Sequence, residues 1–361
     1  MNICFFCGTL SSGGIGRVVS IISSYLVEKE GVEIFILSDY DTGKSAYKVS
    51  SKCHRYSLQK EPCSMAKAIC NGHIIRKTER YLNENSIDII IACGALYYPV
   101  ATIAAKKTKC KLICWEHTDP NITTDYKFQG ECRTFGALLS DANLVLTKSA
   151  KSIYDYKYRL KRNIQIYNPI DPSLLERKIQ YNCTSKKIIS VGRLNAQKNF
   201  DRLIDVAKVV LCRNTEWSWD VFGDGELKNH LKERVINEGL EGRLSFAGQV
   251  ADIYDRYPEY GMMVMTSDYE GFPMTLLEGA ACGLPLVAFD VQTGPNEIIT
   301  DGENGFLCNK GDTKTMIKRI EQLISSEELR VNQSKSSCEC VKEFSIDKIV
   351  QEWMDLLRMM Q

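Results

Sequence analysis

The stretch 188-IISVGRLNAQKNFDRLIDVAKVV-210 contains a short apolar run, a polar turn and a longer amphipathic run. The first run is short and rich in β-branched residues, which is typical of a buried strand. In the longer run, apolar residues recur every three or four positions, as on the buried face of a helix. A strand that leads directly into a helix is the repeating unit of a parallel sheet covered by helices. The stretch therefore predicts an α/β fold.

The same alternation of short and long runs extends along most of the chain. In the amino-terminal half it predicts strands at 2–7, 32–37, 87–91, 111–115 and 142–146, with helices at 15–28, 65–83 and 100–107. In the second half it predicts strands at 187–191, 217–222, 244–246, 262–265 and 286–288, with helices at 200–211, 227–238, 253–257, 275–281 and 313–324. Each half is typical of a doubly wound, Rossmann-like unit.

Length and punctuation predict two domains. The chain has 361 residues, and a single hydrophobic core stops growing at roughly 250–300 residues. The segment 167-YNPIDPS-173 interrupts the alternation with two prolines and polar residues. Residues 345–360 have apolar side chains at helical spacing and predict a final helix. We expect two Rossmann-like domains that face a ligand cleft, as doubly wound sheets bind ligands at the carboxyl ends of their strands.

Charge is divided unevenly between the halves. The net charge is +1, but residues 1–170 carry 23 Lys and Arg against 15 Asp and Glu, whereas residues 171–361 carry 23 against 30. The cations gather in 106-KKTKCK-111 and 151-KSIYDYKYRLKR-162, the second interleaved with tyrosines. This mixture suits a phosphate-rich surface such as a membrane or a nucleic acid, and it equally suits a solvated helix face.

Cysteine usage indicates a reducing compartment. The fifteen cysteines are an odd number, and no secretory signal precedes them, so we expect reduced thiols in the cytoplasm. Cys4 and Cys7 have redox-motif spacing, but they lie in a predicted strand and no second pair accompanies them, so core packing is the preferred role. No run of 18 apolar residues occurs, so we expect any membrane contact to be peripheral.

Three glycine-containing turns follow predicted strands. In 11-SSGGIGRVV-19 the glycines could bring backbone amides to an anion, or could serve the turn alone; Val19 replaces the third glycine of the dinucleotide fingerprint. In the second turn, Arg193 and Lys198 follow the strand at 187–191, where two cations would neutralise a diphosphate or simply lie on the surface. The third, 221-VFGDGELKNHL-231, permits a sharp turn beneath a base or sugar.

The segment 270-EGFPMTLLEGAACGLPLV-287 holds two carboxylates with a turn between them. Thr275 and Glu278 fit a capping box that would only begin a helix. Alternatively, amides at the helix start would bind a diphosphate, while Glu270 and Glu278 would accept hydrogen bonds from the hydroxyls of a sugar and a ribose. A nucleotide sugar offers all of these groups.

Together these motifs resemble those of family 4 glycosyltransferases, retaining enzymes of the GT-B fold that use nucleotide sugars. The resemblance runs along nearly the whole chain and rests on the Gly13-Gly14 loop, Glu116-His117, Asn168-Pro169, Val191-Gly192-Arg193-Leu194 with Lys198-Asn199, Gly223-Asp224-Gly225, Glu270-Gly271-Phe272-Pro273 through Glu278, Thr293-Gly294-Pro295 and Asp301-Gly302-x-Asn304-Gly305. It implies a GT-B fold with one domain at 1–167 plus the helix at 345–361, and a donor domain at 168–344.

The resemblance also implies a role for each matched residue. Glu270 would hold the donor sugar, Glu278 the ribose, and Arg193 with Lys198 the diphosphate. His117 would lie at the reacting face of the sugar, as a contact or a proton carrier, with a structural histidine as the alternative. The remaining donor contacts would come from Gly13, Gly14, Gly223, Val250, Gly271, Phe272, Pro273, Met274 and Thr275.

The expected reaction transfers a hexose or N-acetylhexosamine to a hydroxyl of a glycan acceptor during synthesis of a surface polysaccharide such as O-antigen, capsule or exopolysaccharide. The expected donor is a UDP-sugar, and GDP-mannose is the alternative. No metal or cofactor is expected, because Arg193, Lys198 and the helix-start amides would stabilise the leaving diphosphate. Asp39-Tyr40-Asp41 has the spacing of a metal-binding motif but is interpreted as a polar loop. A further hypothesis is that the acceptor is carried on polyprenyl diphosphate at the inner face of the membrane. We expect no nucleic acid as a partner. A non-catalytic nucleotide-sugar binding protein and a Rossmann-type oxidoreductase are the competing classes.

Overall fold

The structure is a computed structural model that describes residues 1–11, 13–41, 46–60, 72–122, 128–159, 161–250 and 252–361. The chain divides into two compact units. Unit 1 comprises Met1–Pro169 and Ile346–Gln361, and unit 2 comprises Ile170–Ser345.

Unit 1 contains a seven-stranded parallel sheet with the strand order β3-β2-β1-β4-β5-β6-β7. The order reverses at β1, where the two halves of a doubly wound sheet meet. The strands are β1 (Asn2–Cys7), β2 (Glu33–Tyr40), β3 (His54–Gln59), β4 (Ile89–Cys93), β5 (Lys111–Trp115), β6 (Ala142–Val145) and β7 (Arg162–Gln165). The helices are α1 (Gly13–Leu26), α2 (His73–Glu84), α3 (Tyr98–Thr108), α4 (Gln129–Leu139), α5 (Lys148–Lys157) and the final helix, α13 (Ile346–Met360), and a 3-10 turn spans Ala95–Tyr97.

Unit 2 contains a six-stranded parallel sheet with the order β10-β9-β8-β11-β12-β13. Its strands are β8 (Lys187–Val191), β9 (Ser218–Phe222), β10 (Leu244–Gly248), β11 (Met262–Met265), β12 (Leu286–Asp290) and β13 (Gly305–Asn309). Its helices are α6 (Pro172–Glu176), α7 (Phe200–Arg213), α8 (Lys228–Asn237), α9 (Met274–Ala281), α10 (Pro295–Ile298), α11 (Thr313–Ser325) and α12 (Glu327–Cys340). Short 3-10 turns lie at Ala196–Lys198, Tyr257–Glu259 and Val341–Phe344.

The central strands explain why the sequence encodes parallel sheets. In β1, residues Ile3–Cys7 have no exposed surface, and all five residues of β4 are buried. Strands covered by helices on both faces need continuous apolar runs. The last helix of the chain contributes to unit 1, because the buried Trp353 packs its ring 4.8 Å from Trp115 and 5.8 Å from Phe5.

Every predicted strand exists, with its ends shifted by a few residues at most. The sequence analysis missed the edge strands β3, β7 and β13 and the helices α4, α5, α6, α10 and α12. In β3 and β7 the reason is composition: His54–Gln59 and Arg162–Gln165 are mostly polar, as edge strands often are. The helix expected at 253–257 is wrong, because only the 3-10 turn Tyr257–Glu259 forms there. Of the helix expected at 65–83, residues 65–71 lie outside the described part of the chain.

Cys4 and Cys7 are packing residues of β1. Both side chains are fully buried and both thiols are free. Burial raises the pKa of Cys7 to about 12 and the pKa of Cys4 well above its ordinary value. A thiol that stays protonated is a poor nucleophile and a poor metal ligand, so these two cysteines contribute to the core. Within the described ranges, no helix has both the length and the apolar character required to cross a membrane.

Candidate active site

The candidate donor residues of unit 2 gather where β8 and β11 end. These strands are neighbours in the sheet, so the loops that follow them emerge side by side at its carboxyl edge. The Asp268 amide donates to the Gln197 carbonyl over 2.9 Å, and the Gln197 side chain donates to the Tyr269 carbonyl over 3.0 Å. The fold thereby joins the segment that contains Lys198 to the segment that leads into Glu270.

Lys198 and Glu270 form a close, buried ion pair. The Lys198 Nζ atom lies 2.6 Å from Glu270 Oε1, and the two side chains are only 15% and 6% exposed. Gly192 makes room for the lysine stem, since a Cβ atom at that position would stand 3.2 Å from Lys198 Cδ and Cε. Removing two charges from water is unfavourable unless they pair well. The structure thus brings together two of the predicted site residues.

A second carboxylate, Asp268, fixes the lysine segment. Asn199 adopts a left-handed conformation with φ 47°, begins α7 and accepts a hydrogen bond from the Arg202 amide. Its side-chain amide donates to Asp268 over 2.8 Å, and the Arg202 guanidinium lies 3.1 Å from the same carboxylate. Asp268 was not predicted, because a single acidic residue after a strand has no distinctive pattern.

The loop around Glu270 is supported by the loop between β12 and α10 and by Phe344. The Thr293 hydroxyl donates to the Glu270 carbonyl. Gly294 has φ 102°, and a Cβ atom there would lie 2.5 Å from Pro273 Cδ. The Phe272 ring is buried and packs 5.5 Å from Phe344. These contacts explain why glycine and small polar residues follow β12: they allow two loops to approach each other closely.

The helix that follows this loop begins without a side-chain cap. Pro273 occupies the cap position of α9, and its carbonyl accepts from the amides of Leu276 and Leu277. The alternative that Thr275 and Glu278 form a capping box is therefore wrong. In the described part of the chain the amides of Met274 and Thr275 have no hydrogen-bond acceptor. Two such amides at a helix start favour an anion.

Glu278 lies in the second turn of α9 and is 1% exposed. The hydroxyl of Tyr257, itself fully buried, donates to Glu278 Oε2 over 2.9 Å. A buried carboxylate requires such donors, since an unpaired charge is strongly disfavoured there. Sequence reasoning missed Tyr257 because a tyrosine in a short polar segment carries no signal of its partner.

Three other residues predicted to contact the donor, Arg193, Gly223 and Val250, lie outside the buried pair of Lys198 and Glu270. Arg193 is exposed, and its side chain has no partner among the residues that the structure describes. Gly223 has φ 141°, and a Cβ atom there would lie 1.9 Å from the Gly192 carbonyl oxygen. The close approach of two chain segments therefore already requires glycine at 223. Val250 is half-buried at the end of the loop after β10.

In unit 1, the predicted glycine turn falls at the start of α1, which begins at Gly13. Gly13 has φ 87°, which favours glycine, and Gly16 lies so close to the Thr9 carbonyl oxygen that a Cβ atom would be 2.7 Å from it. A Cβ atom at Gly14 would meet no atom within 4 Å. Backbone geometry thus accounts for Gly13 and Gly16, whereas a ligand role remains a prediction for Gly13 and Gly14.

His117 follows β5 and packs against it. Its ring centroid lies 4.2 Å from that of Trp115, and its enclosed Nε2 atom has no hydrogen-bond partner within the described ranges. Burial lowers the pKa of His117 to about 4, although the neighbouring Glu116 opposes this shift. The imidazole is therefore neutral at pH 7, which suits a hydrogen-bond partner better than a cation.

The loop that carries His117 is organised by a buried ion pair. Arg133 Nε lies 2.6 Å from Glu116 Oε2, with both side chains under 5% exposed. Tyr154 donates to the same oxygen over 3.1 Å, and the Thr118 hydroxyl donates to Glu116 Oε1 over 2.7 Å. Burial alone would raise the pKa of Glu116, but Arg133 and Thr118 outweigh it and lower the pKa. Sequence analysis identified Glu116 and missed Arg133, which is 17 residues further along the chain.

The interpretation of Asp39-Tyr40-Asp41 as a polar loop is wrong for its first two residues, which end β2. Asp39 is buried and accepts from Gln59 over 2.8 Å, and Asp41 pairs with Arg55 over 3.2 Å. A search of the described residues finds no group of three or more His, Cys, Asp or Glu side chains that could hold a metal ion.

Comparison with known proteins identifies what unit 2 resembles. Residues 174–338 match the family described as glycosyl transferases group 1. Unit 2 is therefore similar in sequence to this family over most of its length. Over 356 residues, and 99% of both chains, it is 28% identical to an uncharacterised glycosyltransferase of Haemophilus influenzae. Over 360 residues, and 97% of both chains, it is 29% identical to the amylovoran biosynthesis glycosyltransferase AmsD of Erwinia amylovora.

Two further similarities extend this result. The chain is 25% identical over 370 residues, covering 99% of itself and 98% of the relative, to a Campylobacter jejuni N-acetylgalactosaminyltransferase named for an undecaprenol diphosphate-linked substrate. It superimposes on Staphylococcus aureus TarM, crystallised with UDP, α-GlcNAc-glycerol and fondaparinux, with a TM-score of 0.81, 14% identity and 99% coverage of both chains. With the two parallel sheets, this likeness confirms the predicted GT-B fold.

Proposed function

We propose that the protein is a retaining glycosyltransferase of family 4 that moves a hexose or N-acetylhexosamine from UDP to a hydroxyl of a glycan acceptor. The observation that carries the proposal is the buried pair of Lys198 and Glu270 beside the uncapped start of α9. Sequence similarity to AmsD, named for amylovoran biosynthesis, supports a role in surface polysaccharide synthesis. The UDP bound to TarM supports UDP as the nucleotide of the donor.

The pair explains how a donor would be recognised. A diphosphate near Lys198 offers the ammonium a second anionic partner, and Glu270 then gains capacity to accept hydrogen bonds from the sugar hydroxyls. The amides of Met274 and Thr275, together with Arg193, would add positive potential around the phosphates. These groups would supply positive charge where the leaving group develops negative charge.

In the reaction, the bond between the anomeric carbon and the phosphate oxygen breaks, and a bond from that carbon to the acceptor oxygen forms. The nucleoside diphosphate leaves with the bonding electrons and takes up the proton that the acceptor hydroxyl loses. Fixed cations and amides that stabilise the leaving diphosphate lower the barrier, and this type of electrostatic preorganisation is usually the largest catalytic term. Lys198, Arg193 and the α9 amides would supply that stabilisation without a metal.

Glu278 would bind the ribose. A carboxylate has about four lone-pair sites and accepts hydrogen bonds readily from the hydroxyls of a ribose. His117 would contact the sugar through its neutral ring. A base with a pKa of about 4 takes up a proton weakly at neutral pH, which favours hydrogen bonding over proton abstraction as the role of His117.

The acceptor proposed is a glycan on polyprenyl diphosphate at the inner face of the cytoplasmic membrane. The Campylobacter jejuni relative is named for such a carrier, and residues 1–170 carry 23 basic against 15 acidic side chains. A cation-rich surface favours anionic lipid. The protein would then act in the cytoplasm while attached peripherally.

Donor binding is the first test. Ligand-observed NMR with UDP- and GDP-sugars, in the presence of EDTA, should show one nucleotide class bound by the wild type and slow hydrolysis of that donor. Glu278→Gln should weaken binding at least tenfold, whereas Glu303→Gln, which changes an exposed carboxylate of the same unit, should not. Binding without any turnover would indicate the non-catalytic alternative, and the absence of binding to every donor would refute the proposed function.

A further inference from the structure

Helix α4 of unit 1 is oriented with its large apolar residues outward. It buries Gln129, Arg133, Gly136 and Ala137, while Phe135, Leu138 and Leu139 are 41%, 48% and 39% exposed. Phe128, which directly precedes the helix, is 64% exposed. The spacing of 128, 135 and 139 places these side chains along one stripe. We refer to Phe128, Phe135, Leu138 and Leu139 as the apolar face of α4.

Contacts on the buried side prevent the helix from turning this face inward. Arg133 is held by Glu116 at 2.6 Å and by the Pro120 carbonyl at 3.0 Å. Gly136 packs against Tyr98 so closely that a Cβ atom would lie 2.3 Å from Tyr98 Cβ. The ion pair and the close packing determine which side of α4 is exposed. An amphipathic helix normally buries its large apolar side chains, so the exposed face indicates a partner.

Basic residues border the apolar face. Leu139 lines a surface depression of about 480 Å³ together with Lys111, Lys161 and Arg162. Lys161 Nζ donates to the carbonyl of Ser140, the residue after Leu139, over 3.0 Å. Another exposed apolar side chain, Met359 at 57%, lines the same depression. Acidic groups are present too: Asp141 pairs with Lys111 over 3.5 Å, and Glu131 lies exposed on α4.

A second basic segment adjoins α4 at Thr134, whose hydroxyl lies 3.4 Å from that of Tyr158. Lys157 and Arg159 flank this tyrosine, and both are exposed. The Arg159 guanidinium lies 5.3 Å from the ring centre of Tyr156, which is 73% exposed. An exposed aromatic beside a cation resembles the side chains found at membrane interfaces.

We propose that the apolar face of α4, with its basic border, docks unit 1 onto an anionic lipid surface. Apolar side chains would enter the boundary between headgroups and acyl chains. The basic border and the second basic segment, with Lys157 and Arg159, would meet the phosphates. Against a second copy of this chain the same cations would face one another, which is unfavourable. The proposed function supplies the purpose, access to a lipid-linked acceptor, but the docking itself does not depend on catalysis.

Vesicle sedimentation tests the proposal. The full chain should bind vesicles of phosphatidylcholine mixed with phosphatidylglycerol and bind pure phosphatidylcholine vesicles much more weakly. The double variant Phe135→Gln and Leu139→Gln should weaken binding about tenfold or more, because two apolar side chains are lost from the interface. A matched double variant of exposed apolar residues in unit 2, Leu175→Gln and Ile236→Gln, should bind as the wild type does; these residues are 43% and 55% exposed.

The cations have a separate signature. Lys157→Gln with Arg159→Gln should reduce binding roughly fivefold per charge on the anionic vesicles and leave binding to neutral vesicles unchanged. The exposed pair Lys310→Gln and Lys314→Gln in unit 2 is the control.

Three outcomes would overturn the proposal. The wild type could fail to bind anionic vesicles, or the α4 double variant could bind them as tightly as the unit 2 control variant. Alternatively, analytical ultracentrifugation without lipid could show a wild-type dimer that only the α4 variant dissociates, which would assign the face to a second copy. Hydrolysis of the nucleotide sugar, measured without vesicles in the same variants, reports on the proposed function independently. Preserved thermal unfolding of each variant shows that it is folded.

Discussion

Replacing Lys198 by methionine tests the central pair of the site. The change leaves Glu270, which is 6% exposed, without its ammonium partner. Removing one partner of a buried ion pair destabilises a protein by about 3–5 kcal/mol. In a domain of this size each kcal/mol lowers Tm by about 2–4 °C, so we expect a decrease of roughly 6–20 °C for the transition of unit 2.

Three companion variants make the expectation specific. Lys186→Met breaks an exposed pair with Glu216, in which the side chains are 53% and 64% exposed, and should lower Tm by about 2 °C or less. Lys198→Met combined with Glu270→Gln should be more stable than Lys198→Met alone, because the isolated charge is gone. Glu270→Gln alone completes the cycle.

Differential scanning calorimetry measures these changes, and titration with UDP-sugar measures donor binding in the same samples. Both single variants and the double variant should lose donor affinity, whatever their Tm. If Lys198→Met were as mild as Lys186→Met in calorimetry, the pair would not be the buried interaction described here. If Lys198→Met bound donor normally, the pair would be structural only.

Further expectations concern individual contacts. Tyr257→Phe removes the hydrogen bond to Glu278, worth roughly 1.5–3 kcal/mol for a charged acceptor, and should raise the donor KM about tenfold with kcat little changed in steady-state assays; an unchanged KM would argue against ribose binding by Glu278. His117 has a folded pKa of about 4, below the ordinary 6.5, so the unfolded chain takes up the proton first and stability should fall between about pH 6.5 and 4; in His117→Gln, Tm measured across this range should depend less on pH, and an identical pH dependence would contradict the burial. Gly294→Ala adds a Cβ atom 2.5 Å from Pro273 Cδ at φ 102°, so it should lower Tm and weaken donor binding together, whereas Gly302→Ala, at φ 84° with open space around it, should affect only Tm.

Local pattern was sufficient for the class of fold. Continuous apolar runs such as Ile3–Cys7 and Ile89–Cys93 are readable because strands buried on both faces have no polar side to interrupt them. Edge strands such as His54–Gln59, in which the first three residues are exposed and only Leu58 is buried, lose that signal. Helix α4 escaped detection for a related reason: its buried face contains Arg133 and Gly136, and its exposed face contains Phe135.

The sequence by itself predicted the residues that we propose bind a nucleotide sugar, because the motifs at 192–199 and 270–278 combine glycine turns, cations and carboxylates in positions that follow strands. Only the tertiary structure decided their partners. Parallel pairing of β8 with β11 places Lys198 against Glu270 across 72 residues of chain. In the same way, Tyr257 meets Glu278 and Arg133 meets Glu116. Side-chain pairs of this kind depend on how distant segments pack, and packing leaves no periodic trace in a single sequence.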